Sequence, residues 1–267
     1  MSRSLDGSVV LVTGASSGIG AATAMEFGQQ GARVVIAARR SGMLEERARE
    51  VVEAGGRVLA IPTDVTDPVQ VSHLVERTSK EFGPIDILVN NAGVNWSRRL
   101  GDTSPDEVRR VVSVNLLATV QLSLAVLPDM QRRRTGTIIS VGSVAGHVPI
   151  EPLYSATKFG VRGFSLALRR QLSGSGVSVC LVSPGNIRTA MTRSLDEEMP
   201  GPEAVAKAIV RIAKRPRRDR VVPTKYLGVV WLDRVAPGLA DAAFSWRHRG
   251  QPEGSKMPAY AEPPASI

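Results

Sequence analysis

Tyr154 and Lys158 stand four residues apart in Tyr154-Ser155-Ala156-Thr157-Lys158, with Ser143 eleven residues upstream. On a helix that spacing puts the phenol and the ammonium on one face. A tyrosine with its ordinary pKa of about 10 is a poor proton donor or acceptor near neutrality. An ammonium one turn away favours the phenolate and brings the group toward the range where general acid–base work is efficient. A serine hydroxyl nearby can hold a carbonyl or alcohol oxygen in front of the phenol. A Tyr-x-x-x-Lys pair on its own is common surface decoration, so its meaning depends on the elements that carry it.

Those elements follow a regular alternation. The unbroken apolar run Val9-Val10-Leu11-Val12 marks a strand covered on both faces, and a helical stretch follows it at 21–30. Further strands are expected at 33–38, 57–61, 85–90, 136–141, 177–182 and 220–222, with helices at 41–54, 68–82, 105–131, 152–172 and 202–213. Strands alternating with helices at this spacing are βαβ units. The fold class is α/β: a doubly wound parallel sheet with helices on both faces, Rossmann-like, in a single domain. No break in composition precedes residue 222, so 1–222 reads as a dinucleotide-binding catalytic domain. Residues 223–267 read as a C-terminal extension, apolar over 225–232 and disordered from Gly250 to Ile267, where four prolines fall. The stretch 108–127 is apolar almost all round, and 152–172 contributes Phe159, Val161, Phe164, Leu166 and Leu168. A helix without a polar face is buried, here in part against a second copy, so a homo-oligomer (dimer or tetramer) is expected.

Between the first strand and helix lies Thr13-Gly14-Ala15-Ser16-Ser17-Gly18-Ile19-Gly20. Glycines at 14, 18 and 20 permit a tight turn and close backbone approach to a pyrophosphate seated on the helix N-terminus. The alternative is a purely structural βα turn, and the strand–turn–helix context favours the dinucleotide. An NAD site usually ends its second strand on an acid for the ribose 2′-hydroxyl. Here the residues are Ala38-Arg39-Arg40. Nothing repels a 2′-phosphate, and Arg39, with Arg40 beside it, can pair with one as a charge-assisted fork. NADP(H) is therefore favoured over NAD(H), against the reading of Arg39 as a solvated loop arginine.

With these pieces in place the chain resembles the short-chain dehydrogenase/reductase family over 7–191. Thr13-Gly14-x-x-x-Gly18-Ile19-Gly20 resembles its cofactor fingerprint, with Ser16 and Ser17 inside it. Asp64-Val65 resembles the adenine contact. Asn90-Asn91-Ala92-Gly93 resembles the segment that braces the sheet and touches the adenosine ribose. Asn115, Ser143, Tyr154 and Lys158 match the catalytic residues. Pro184-Gly185, with Ile187 and Thr189, resembles the stretch that holds the nicotinamide amide. The gap from Ser143 to Tyr154 is a residue or two shorter than usual in the family. Ser140 is the neighbouring candidate, but Gly142-Ser143-Val144-Ala145-Gly146 reads like the motif and favours Ser143. The resemblance implies that Tyr154 is general acid in reduction and phenolate base in oxidation. It further implies that Lys158 lowers the tyrosine pKa and bonds the nicotinamide ribose, Ser143 polarises the substrate oxygen, and Asn115 holds a proton-relaying water.

Composition bounds the remainder. The 267 residues carry 34 basic and 25 acidic side chains, a net charge of +9 and a pI near 10.4. Such a balance raises nucleic acid and anionic membranes as partners. The charges are mostly scattered, however, and 4% aromatics give no base-stacking platform, so no nucleic acid is expected. Two clusters stand out, Arg132-Arg133-Arg134 at a helix end and Lys214-Arg215-Pro216-Arg217-Arg218-Asp219-Arg220, read as a helix C-terminal complement and a solvated connector. The single cysteine, Cys180, reads as a buried inert thiol in a strand. With no disulfide, signal-peptide pattern or stretch of membrane-spanning length, the expected compartment is cytoplasmic. His73, His147 and His248 have no ligand spacing, so no metal is implied. Substrate-facing positions should come from Val94-Asn95-Trp96, His147-Val148-Pro149, Ile187, Met191 and Leu195. That lining suits a lipophilic alcohol or ketone (steroid, retinoid or long-chain carbonyl) better than a sugar or acyl-carrier substrate. The apolar extension can cover the pocket or a partner subunit, or make a peripheral contact with an anionic membrane, and the first pair is favoured. A non-catalytic NADP(H) sensor is the rival function; the intact Asn115, Ser143, Tyr154 and Lys158 argue against it.

Overall fold

The computed structural model describes residues 3–96, 99–189, 192 and 198–242. Seven strands form one sheet: β1 Val9–Thr13, β2 Arg33–Ala38, β3 Arg57–Pro62, β4 Ile87–Asn90, β5 Gly136–Val141, β6 Val177–Pro184 and β7 Asp219–Val222. Their order is β3-β2-β1-β4-β5-β6-β7 and every pairing is parallel. The helices are α1 Gly18–Gln29, α2 Ser41–Glu53, α3 Pro68–Phe82, α4 Pro105–Val112, α5 Ala118–Arg133, α6 Pro152–Gln171, α7 Pro202–Lys214 and α8 Leu227–Val235.

The apolar strands read as doubly covered, and they are. Side chains alternate across a strand, so Val10 and Val12 enter a core with Phe27 of α1, Leu44 of α2 and Ile209 of α7. Val9 and Leu11 enter a second core with Leu74 of α3, Leu122 of α5 and Leu168 of α6. Cys180 lies in the first core, where burial pushes its thiol up to about 11, as fits an inert side chain. The strand order reverses between β1 and β4. A parallel sheet opens a crevice beyond the carboxyl ends of its strands at such a switch point.

Three local features depart from the sequence reading. The first helix begins at Gly18, three residues early, which puts Gly18 and Gly20 inside its first turn. The expected single helix over 105–131 contains a π turn at Ser113–Leu117, between α4 and α5. The C-terminal extension contains a helix, α8. The composite Pro105–Arg133 is also long and apolar enough to cross a membrane, which corrects the expectation that no stretch is. It packs on the sheet and on α3 and α6, as core helices do.

Candidate active site

The glycine loop between β1 and α1 is shaped by backbone proximity. Gly14 (φ +65°) and Gly18 (φ +58°) take the left-handed conformation that glycine adopts freely. A Cβ on Gly20 would sit 2.3 Å from the Gly14 carbonyl oxygen, and one on Gly14 would sit 2.8 Å from Ala92 Cα. Asn91, the residue after β4, locks this approach: its Nδ2 donates to the carbonyls of Thr13 (2.8 Å) and Gly14 (3.2 Å). Thr13 Oγ1 in turn accepts from the amides of Asn91 (3.1 Å) and Ala92 (3.2 Å). Thr13 is a bracing residue whose role the motif alone did not disclose.

At the start of α1, Ser17 makes no side-chain capping bond and the first turn carries no acid. The amides there are free to receive an anion, and the helix dipole favours one. Arg40 reaches over the loop, donating from Nη2 to Ser16 Oγ (3.0 Å) and Ser17 Oγ (3.4 Å). Arg39 is exposed and has no ion pair among the described residues. The geometry therefore sets Arg40, rather than Arg39, closest to the loop. The glycine cradle, the uncapped helix start and the guanidinium above it fit a dinucleotide. Asp64 caps its own turn, accepting from the Thr66 amide (2.9 Å) and hydroxyl (2.8 Å), with Val65 buried beside it.

The second half of the site lies on α6 and the π turn. Lys158 is 6% exposed; its Nζ donates to the Val141 carbonyl at 3.1 Å and lies 5.7 Å from the centroid of the Tyr154 ring. Burial depresses its pKa to about 8, so the ammonium remains charged at neutrality. A Cβ on Gly93 would lie 3.4 Å from Asn115 Oδ1 and 3.7 Å from Lys158 Nζ, so these side chains converge beside the β4 loop. Asn115 Oδ1 accepts from the Val94 amide (2.8 Å), while its Nδ2 donates to the Val94 carbonyl (2.9 Å) and Thr157 Oγ1 (3.2 Å). It clamps the Val94 loop to α6 from within the π turn. A π turn holds an extra residue in the helix and is common at functional sites.

Ser143 begins the 3-10 turn Val144–Gly146, and its Oγ accepts from the Ala145 amide at 3.1 Å. Accepting there leaves the hydroxyl proton to be donated to a substrate oxygen. The rival Ser140 is 1% exposed and accepts from Ser165 Oγ at 3.0 Å, so it is a core hydroxyl. A Cβ on Gly146 would sit 2.7 Å from the Lys158 carbonyl oxygen, so this turn lies directly on α6 at the lysine.

The segment expected to hold the nicotinamide amide follows β6. Gly185 donates its amide to the Val222 carbonyl (2.8 Å), and a Cβ on it would meet the Tyr226 ring at 2.1 Å. Tyr226 Oη accepts from the Asn186 amide at 3.2 Å, so the extension builds part of this segment. The side chain of Thr189 lies 3.4 Å from the Cβ position on Gly18, closing the loop from the far side. Three lining expectations need correction. Ile187 packs into the α7 core and Val148 is fully buried, because both side chains follow the backbone inward. His147 turns away from the cleft onto Ser183 and Asp219. Met191, Leu195 and the tail lie outside the described residues. Among the described residues no cluster could hold a metal ion.

A parallel α/β sheet with a dinucleotide cradle at its switch point and a Tyr–Lys pair beside it defines a nicotinamide-dependent oxidoreductase. The chain belongs to the short chain dehydrogenase family, whose model matches residues 8–200. It is 34% identical over 257 residues to the ketoacyl reductase HetN of Nostoc sp., covering 91% of this chain and 90% of that one. It is 33% identical to a dehydrogenase/reductase SDR family protein 7-like of Anopheles gambiae, covering 89% and 82%. A crystal structure of an actinorhodin polyketide ketoreductase variant with NADPH superposes with a TM-score of 0.76 at 28% identity, covering 83% of this chain and 97% of that one. A short-chain dehydrogenase/reductase from Mycobacterium marinum gives 0.78 at 30% identity, covering 83% and 96%.

Proposed function

We propose that this oxidoreductase uses NADP(H) to interconvert a lipophilic ketone and its alcohol, with Tyr154, Lys158, Ser143 and Asn115 as its catalytic residues. The observation that carries the reading is the buried Lys158 ammonium beneath the Tyr154 ring, on the helix that packs against the Ser143 turn. Ser143 donates its hydroxyl to the carbonyl oxygen and holds it before the phenol. Tyr154 gives that oxygen its proton in reduction and removes it in oxidation. Lys158, charged at neutral pH, stabilises the phenolate left behind. Asn115 keeps the Val94 loop and α6 in register around these groups. The glycine loop, Asn91 to Gly93 and the segment from Pro184 to Thr189 would hold the dinucleotide, with Asp64 and Val65 at its adenine. A dinucleotide held by these residues would supply the hydride chemistry, and the chain's own side chains would position the substrate and move the proton.

The absence of an acid after β2 and the Arg40 guanidinium over Ser16 and Ser17 support NADP(H). A charge-assisted pair to the 2′-phosphate corresponds to roughly tenfold or more in affinity over NADH. Exposed Leu117, Leu124 and Phe159 on the π turn, α5 and α6 are apolar surface that supports a homo-oligomer. Exposed Leu227, Trp231 and Val235, four residues apart along α8, give the C-terminal extension an apolar face that supports a peripheral membrane contact there. Similarity to a ketoacyl reductase and to a polyketide ketoreductase brings ketoacyl and polyketide carbonyls into the substrate panel.

The test is titration with NADPH and NADH, with turnover of wild type and Tyr154→Phe on lipophilic, ketoacyl and polyketide carbonyls. Turnover should fall by about 10³-fold in Tyr154→Phe while NADPH binding persists. NADPH binding without turnover in the wild type would favour the sensor, and tighter NADH binding would sink the cofactor assignment.

A further inference from the structure

His147 ends the 3-10 turn after Ser143 and starts the connection toward Tyr154. Its Nε2 lies 3.0 Å from Ser183 Oγ and 3.4 Å from Asp219 Oδ2, and its side chain is 7% exposed. Ser183, fully buried on β6, donates its hydroxyl proton to Asp219 Oδ1 at 3.1 Å. A hydroxyl has one proton and Ser183 directs it to the carboxylate. Toward His147 the serine is therefore an acceptor, and Nε2 must carry the hydrogen. The chain runs one way, from His147 Nε2–H through Ser183 to Asp219. Arg162 of α6 joins it, with Nε 3.8 Å from Asp219 Oδ2.

Four parts of the site meet here: the Ser143 turn, β6, β7 and α6. Ser183 immediately precedes Pro184-Gly185, and Arg162 is eight residues past Tyr154 on the same helix. Burying imidazole, hydroxyl and carboxylate together carries a desolvation cost that an apolar cluster of the same volume avoids. What the polar chain adds is direction. Arg162 Nε is buried without a hydrogen-bond partner, so the bonds that hold the turn are those of His147, Ser183 and Asp219, and buried hydrogen bonds of this kind rigidify their surroundings.

We propose that His147 is a positioning residue: through Ser183 and Asp219 it fixes the 143–154 connection against the segment after β6, and so sets where Ser143 and Tyr154 point. This rests on the catalytic reading of Ser143 and Tyr154 above. It is tested with His147→Leu, which removes the donor, and His147→Gln, whose amide N–H reaches nearly as far as Nε2. Since a displacement of about 1 Å at reacting groups can cost on the order of 10²-fold, His147→Leu should lose roughly 10- to 100-fold in kcat. His147→Gln should recover most of that loss, and NADPH affinity should stay the same in both. The amides of Gly146, His147 and Val148, bonded within the turn, provide a readout that needs no turnover. Their hydrogen exchange in the cofactor-free protein should quicken in His147→Leu and remain slow in His147→Gln. Should His147→Leu not fold, Ser183→Ala takes its place with the same expectations. Unchanged exchange and kcat in the variant lacking the donor, or equal loss in His147→Leu and His147→Gln, would overturn the proposal. If the wild type turns over no carbonyl, the catalytic reading falls, and the exchange data alone decide whether His147 holds the turn.

Discussion

Lys158 shows how much of this site depends on one buried charge. Its type and its spacing from Tyr154 were legible in the sequence, as were Ser143 and Asn115. The depth of its burial was not, because a helical face can point to solvent or to the core. With a folded pKa near 8 against an ordinary 10.5, the native state disfavours the ammonium. The penalty is fully present below pH 8 and is relieved as pH rises from 8 toward 10.5, where the unfolded chain holds more protons than the folded one. Lys158→Met should therefore abolish turnover yet improve its stability relative to wild type most at pH 7, with the relative gain shrinking by as much as about 3 kcal/mol near pH 10. Urea midpoints at the two pH values measure this, and a pH-independent difference would refute it. His147 teaches the converse lesson: its position in the loop suggested substrate lining, but only the folded chain brings Ser183 and Asp219 to its ring.

Among the elements, the helix carrying Asn115 departs most from simple expectation. Apolar residues almost all round announced a buried helix, but a periodicity blurred by that composition cannot register one inserted residue. The π turn at Ser113–Leu117 places Asn115 where its amide bonds both sides of Val94 and Thr157. Asn115→Ala removes three hydrogen bonds and strands buried partners, so a stability loss of about 2–3 kcal/mol is expected from chemical denaturation. It should be accompanied by lower kcat, since the Val94 loop and α6 lose their clamp. A variant as stable as wild type would show that the clamp is dispensable. The phosphate loop was easier to read, because clashes at Gly14 and Gly20 leave a glycine signature in any such turn.

At the scale of the molecule, the charge of +9 is unevenly answered. Arg211, Lys214, Arg215, Arg217 and Arg220 border a cavity of about 300 Å³ at the sheet edge opposite the active site. None of them forms an ion pair among the described residues, and Asp219, the acid within that run, turns inward to Ser183. Exposed like charges repel over roughly a Debye length, about 10 Å at 0.1 M salt. Raising salt from about 20 to about 200 mM should therefore raise Tm by a few degrees, and more in phosphate than in chloride at equal ionic strength. A falling Tm would show that the salt-sensitive pairs elsewhere outweigh this cluster.

Patterns along the chain announced the sheet, the succession of its strands, the glycine cradle and the Tyr, Lys, Ser and Asn candidates. Each depends on local rules: alternating apolar patterns, φ angles that only glycine takes freely, and motif spacing along one element. Tertiary structure alone decided that Arg40 rather than Arg39 overlies the phosphate loop, that Ser140 is core and Ser143 is not, and that Tyr226 closes on Gly185. It also decided that His147 faces inward. These outcomes turn on side-chain direction and on contacts between residues far apart in the chain, which arise only when separate elements pack and exclude water together.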